Sequence, residues 1–159
     1  MLIVAARRSI RQLVAAKVVP LDLTPHHFWM LLVIARAAPL SLGELARAMW
    51  MDNPTISRMV QQMTQRGYLT VGPDPNHGRR IRIRLTPEGV ALCERLEGIG
   101  EGLRLQAEQG MTEEETATLR TLLSKYMRNL DVMVANDLPG MPIRAQHKDE
   151  DPGSLSSAG

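Results

Sequence analysis

Apolar positions along the chain recur at spacings of three and four, then of two, then of three and four again. Leu2, Ile3, Ala6, Ile10, Leu13 and Val14 form one stripe, with Arg7, Arg8 and Arg11 away from it. This predicts an amphipathic helix over 2–18, stopped by Pro20. Thr24-Pro25 is an N-cap with proline at the first helical position, opening a helix to about Ala38. That helix is almost wholly apolar from Phe28 to Ala35, which places it at the centre of the domain.

Pro39-Leu40 breaks the chain, and Ser41-Leu42-Gly43-Glu44 is a capping box for a short helix to about Met49. Trp50–Asn53 is only a turn. Asn53-Pro54 repeats the cap-plus-proline signal and opens a helix to Arg66, which Gly67 ends in the left-handed conformation. The period then changes to two. Tyr68–Val71 and Arg80–Leu85 read as strands around the turn-rich segment 72–78, with Ile81, Ile83 and Leu85 on one face and Arg80, Arg82 and Arg84 on the other.

Thr86-Pro87 caps a further helix with a stripe at Leu92, Leu96, Ile99 and Leu103. Gly98, Gly100 and Gly102 each weaken it by roughly 1 kcal/mol relative to Ala, which predicts a bend or a packing contact. Thr112-x-x-Glu115 is a second capping box, leading a stripe at Leu119, Leu122, Leu123, Tyr126, Met127, Leu130, Met133 and Val134. From about Asp137 the Pro, Gly, Ser and charge content reads as a disordered tail.

Composition narrows the picture. The 159 residues hold one domain, or a domain plus a dimerisation arm, and 44% hydrophobic with 23% charged residues is ordinary for a soluble globular chain. The net charge of +2 says little by itself. Its distribution says more: between Asn53 and Thr86 six arginines face a single acid, Asp74, so a basic module is joined to a mildly acidic remainder. The lone Cys93 excludes an internal disulfide framework and fits a reducing, cytoplasmic compartment. The Leu2–Ala6 run is too short for a signal sequence, and no stretch is long enough to span a bilayer.

The helix from Pro54 to Arg66 divides its faces. Ile56, Met59, Val60 and Met63 point to the core, while Thr55, Ser57, Arg58, Gln61, Gln62 and Gln65 present hydroxyl, guanidinium and amide groups without an acid. Arginine bonds guanine acceptors, glutamine pairs adenine, and hydroxyls hold phosphates. With Asn53 at its start, the helix reads as a DNA recognition helix whose acid-free N-terminus is open to phosphate. Arg79, nearest the turn, is the candidate for minor-groove insertion, and Arg80 and Arg82 for phosphate contact. For Arg84, solubility or bracing of the hairpin is an equal reading.

These residues carry a resemblance. Leu23-Thr24-Pro25, Leu42-x-x-Leu45-Ala46, Pro54-Thr55-Ile56-Ser57-Arg58, Gly67-Tyr68-Leu69, Asp74-Pro75 through Gly78-Arg79-Arg80, and Leu85-Thr86-Pro87-Glu88-Gly89 together resemble the MarR family of winged-helix regulators. The likeness implies a mainly α fold with a small two-stranded wing: a domain over 1–136, its winged helix-turn-helix at about 24–89, dimerisation helices at about 2–18 and 87–135, and a tail at 137–159. It also implies a homodimer on a pseudo-palindromic duplex, acting as a repressor. A small-molecule effector would bind near the junction of the dimer and DNA-binding parts, where His26, His27 and Trp29 are the candidates. One departure stands out. Where the family's wing has Asp-x-Arg-Asp, this chain has Asp74, Pro75, Asn76 and His77, placing a titratable group in the wing.

No cofactor or structural metal is expected. Two adjacent helical histidines point about 100° apart, and no Cys/His spacing suggests zinc. Cys93 lacks a resolving partner and reads as an inert core thiol. No phosphate loop, nucleophile elbow or carboxylate pair suggests an enzyme. The competing class is a winged helix used for protein–protein contact, which has no need of an acid-free polar helix face.

Overall fold

The computed structural model describes residues 1–74 and 77–137. Among these residues six α-helices and one hairpin follow in the order α1 (Leu2–Val18), α2 (Pro25–Ala37), α3 (Leu42–Met49), α4 (Asn53–Gln65), β1 (Leu69–Asp74), β2 (His77–Leu85), α5 (Pro87–Ala107) and α6 (Glu113–Asp137), with a 3₁₀ turn at Val19–Leu21. The architecture is the mainly α fold with a two-stranded wing that the periodicity predicts. The tail predicted at 137–159 lies beyond the described residues, apart from Asp137 itself.

The core forms around α2, where Met30, Leu31 and Ile34 are fully buried together with Phe28. This helix packs against α1, α3, α5 and β2, as its all-round apolar sequence requires. Ile56 and Met63 from α4, Leu45 from α3 and Leu96 from α5 complete the same cluster.

Local chemistry sets the boundaries. Both expected capping boxes form: Ser41 with Glu44, and Thr112 with Glu115. Gly67 takes φ 78° after α4, which a residue with a Cβ rarely adopts. Gly98, Gly100 and Gly102 do not interrupt α5; of them, Gly100 lies where an added Cβ would meet Phe28 at 3.5 Å. The hairpin is longer than predicted, pairing Leu69 with Leu85 and Gly72 with Arg82, and becomes irregular between Pro73 and Asp74. Ile83 also pairs with Leu40, its N–H donating to the Leu40 carbonyl at 2.7 Å. The wing is thereby joined to the start of the helix-turn-helix.

No single helix among the described residues is long and apolar enough to cross a membrane. α1 and α2 reach that length only as a pair bent by 86°, and the apolar side chains of α2 are the core itself.

Candidate nucleic-acid interface

The exposed ridge of α4 carries Asn53, Ser57, Arg58, Gln61 and Gln65, while Ile56, Met59, Val60 and Met63 are buried beneath it. The predicted division of faces is present. Its first turn, however, differs from expectation. Asp52, not Asn53, is the N-cap: Thr55 donates its backbone N–H to Oδ1 at 2.9 Å and its hydroxyl to Oδ2 at 2.8 Å. Both residues are capable N-caps and proline is tolerated at either following position, so the local pattern does not choose between them. The helix start is therefore not acid-free. Asp52 is held below the usual carboxylate range, first by the Thr55 backbone N–H and then by its hydroxyl. Thr55 has spent its donor on the cap, while Asn53, Ser57, Arg58, Gln61 and Gln65 remain outward donors of this helix.

Gln62 is exposed but engaged, because its Oε1 lies 3.2 Å from Nε2 of His27. Arg66, which the sequence reading left without a role, secures the other end of α4. It donates to the carbonyls of Asp22 (2.6 Å) and Leu21 (3.1 Å) and lies 5.3 Å from the centre of the Tyr68 ring. Its partners are 44 and 45 residues away in the chain, beyond any local signal.

The wing corrects a second expectation. Arg82 does not extend from the outer face toward phosphate. Its Nε donates to Asp74 at 2.9 Å and its Nη1 to Glu44 at 2.6 Å, with the side chain only 14% exposed. Glu44 is the same residue that caps α3 through Ser41, so one guanidinium ties both wing strands to the helix-turn-helix. The bracing considered for Arg84 belongs to Arg82. Arg84 has no ion-pair partner among the described residues. The side chains of Arg79 and Arg80, and residues Asn76 and His77 with their wing-tip chemistry, lie outside the described side chains.

Of the three effector candidates, His26 and Trp29 line a cavity of about 660 Å³ between α1, α2 and α6, together with Arg7, Arg11, Ile10 and Met127. His27 does not line it; its side chain is turned into the α2–α4 contact. Cys93 is buried, with its thiol 3.6 Å from the Leu31 carbonyl, and burial pushes its pKa up to about 11. At neutral pH such a group is almost wholly thiol, the unreactive form.

A short helix bracing an exposed polar helix, followed by an arginine-rich hairpin anchored to both, is a winged helix-turn-helix. A MarR family profile matches residues 21–80. The multiple antibiotic resistance protein MarR of Salmonella typhimurium is 32% identical over 109 residues, spanning 68% of this chain and 76% of that protein. Among solved structures, a mutant of Escherichia coli MarR complexed with operator DNA superposes with a TM-score of 0.68 at 30% identity, over 79% of this chain and 90% of that one. The transcriptional regulator SlyA shares the fold, with a TM-score of 0.73 at 19% identity over 80% and 90% of the two chains. The chain belongs to the MarR family, and it is a DNA-binding transcriptional regulator.

Proposed function

We propose that the protein is a ligand-responsive repressor that binds a pseudo-palindromic operator as a homodimer in the cytoplasm. The exposed ridge of α4 carries the reading: Ser57, Arg58, Gln61 and Gln65 form a surface of donors and amides, and Arg58 has no ion-pair partner among the described residues. Arg79 and Arg80 supply wing contacts to the backbone or minor groove, with Asn53 near the first phosphate. Arg58→Ala is expected to lower operator affinity by about 1–3 kcal/mol and to blur preference at one base pair. Gel shift against operator and base-substituted duplexes checks this. Equal affinity of the wild-type protein for every duplex would overturn sequence-specific repression.

The dimer reading is supported by two faces too apolar for water. Leu2, Ile3, Ile10 and Leu13 on α1, and Leu119, Leu122, Leu123, Tyr126 and Met133 on α6, are all exposed in the single chain. Pairing two copies through these helices would cover them and present two α4 ridges to one duplex, a helical turn apart. Light scattering at micromolar concentration is expected to give a dimer mass, and the same mass is expected without residues 138–159. A stable monomer would defeat the reading. The cavity beside this face has guanidinium and imidazole groups on apolar walls, which fits an amphipathic organic anion as effector.

A further inference from the structure

The first turn of α2 faces two ways. His26 and Trp29 open on the cavity, whereas His27 is 9% exposed and lies against α4. Both ring nitrogens of His27 are engaged. The backbone N–H of Thr24 donates to Nδ1 at 3.3 Å, and Nε2 lies 3.2 Å from Oε1 of Gln62. A backbone N–H can only donate, so Nδ1 is the acceptor and the ring proton sits on Nε2, from where it is donated to Gln62. Thr24 Oγ1 completes the cap by accepting the His27 N–H at 3.2 Å. Only a neutral imidazole in this one tautomer satisfies the whole arrangement.

We propose that His27 is a positioning residue that locks the recognition helix α4 to the start of α2, and that the lock opens when the ring takes up a proton. The inference rests on α4 reading DNA. Protonation would set an Nδ1–H against the Thr24 N–H, two donors facing each other, and that half of the capping box would be lost, leaving only the Thr24 Oγ1 bond. The first turn of α2 would loosen, and with it the seat of Gln62. A cavity occupant that displaced His26 and Trp29 would pull on the same turn.

The groups around the ring bear on the sign. Burial is the largest influence and holds the pKa of His27 below the ordinary 6.5. The Gln62 bond raises it, Arg66 at the end of α4 and His26 on α2 lower it, and Asp22 in the preceding turn raises it. The folded chain thus resists the proton more than the unfolded chain does. The contribution of the lock is complete above about pH 6.5 and is lost as pH falls below that value. Acidification ordinarily tightens DNA binding, because histidines gain positive charge beside a polyanion. The lock predicts the opposite.

The test compares wild type with His27→Gln, which keeps a Thr-x-x-Gln capping box without a titratable group. Operator affinity is measured from about pH 7.5 to about pH 5.5, and each protein is normalised to its own value at the upper end. The wild-type affinity is expected to fall severalfold further than that of the variant, short of the roughly tenfold that an unshifted imidazole would give. Parallel profiles would overturn the proposal. If neither protein prefers operator over random duplex at the upper pH, the DNA-reading assignment fails instead. Long-range ¹H–¹⁵N NMR of the wild-type imidazoles gives an independent readout. It is expected to show His27 as the Nε2–H tautomer near neutral pH, and an Nδ1–H tautomer would overturn the proposal even if the variant did not fold.

Discussion

Replacing Gly89 by Ala is expected to destabilise the protein by about 3 kcal/mol or more, far beyond what one added methyl ordinarily costs. Gly89 is buried in the first turn of α5, and a Cβ placed there would meet the Tyr68 carbonyl oxygen at 2.0 Å, its carbon at 3.0 Å and Leu85 Cδ2 at 3.2 Å. The first two are backbone atoms and cannot rotate away. The Tyr68 carbonyl also accepts the Thr86 N–H at 3.1 Å, while the Thr86 hydroxyl donates to the Gly67 carbonyl at 2.6 Å. Moving α5 outward would break this set of bonds together with the cap that Thr86 makes to the Gly89 N–H. Gly98 on the same helix is the internal control. An added Cβ there has nothing within 4 Å, so Gly98→Ala is expected to be neutral or to stabilise by up to about 1 kcal/mol. Urea melts at one fixed protein concentration would show opposite signs for the two variants. A Gly89→Ala midpoint equal to wild type would remove the close-approach account.

The contrast between those glycines shows what the chain made legible. Element order, the core face of α4 and the two capping boxes depend on contacts within four residues, and the pattern of side chains contains them. Gly89 sat in a recognisable string, but the reason for glycine there is the Tyr68 carbonyl, 21 positions earlier. The site errors have the same origin. Arg80, Arg82 and Arg84 alternate identically along β2, and nothing in that alternation distinguishes the one that meets Glu44, 38 residues away. The family resemblance puts His27 with His26 and Trp29 beside an effector site, yet a helix turns successive residues by about 100°, and that rotation carries His27 from cavity to core. The N-cap of α4 was ambiguous for a local reason, since Asp52 and Asn53 can each cap a helix carrying Pro54 in its first turn.

Arg82→Ala is expected to cost at least about tenfold in operator affinity without Arg82 touching DNA. The guanidinium links Asp74 on β1 to Glu44 on α3, and its fork lets Nε and Nη1 address the two carboxylates at once. Without it the Leu40–Ile83 bridge still joins the wing to the domain, but the outer part of the hairpin loses its fixed angle to α4. In the proposed binding mode wing arginines and the helix ridge reach one duplex together, so an ill-set wing would cost affinity through ordering entropy. Arg82→Lys is expected to recover only part of the loss, because an ammonium is a point charge and does not reproduce the planar fork. Glu44→Ala alone should weaken binding less, and its effect should nearly vanish in the Arg82→Ala background, a coupling that a double-mutant cycle measures. The tether also differs from the His27 lock in its response to acid. Glu44 is held below the usual carboxylate range, first by the Ser41 N–H and hydroxyl and then by Arg82, so the tether stays charged where His27 would already be gaining its proton. Anisotropy titrations of a labelled operator with each variant check the series, alongside melting curves to confirm folding. Binding by Arg82→Ala within about twofold of wild type would show that the wing takes its position without the Arg82 tether.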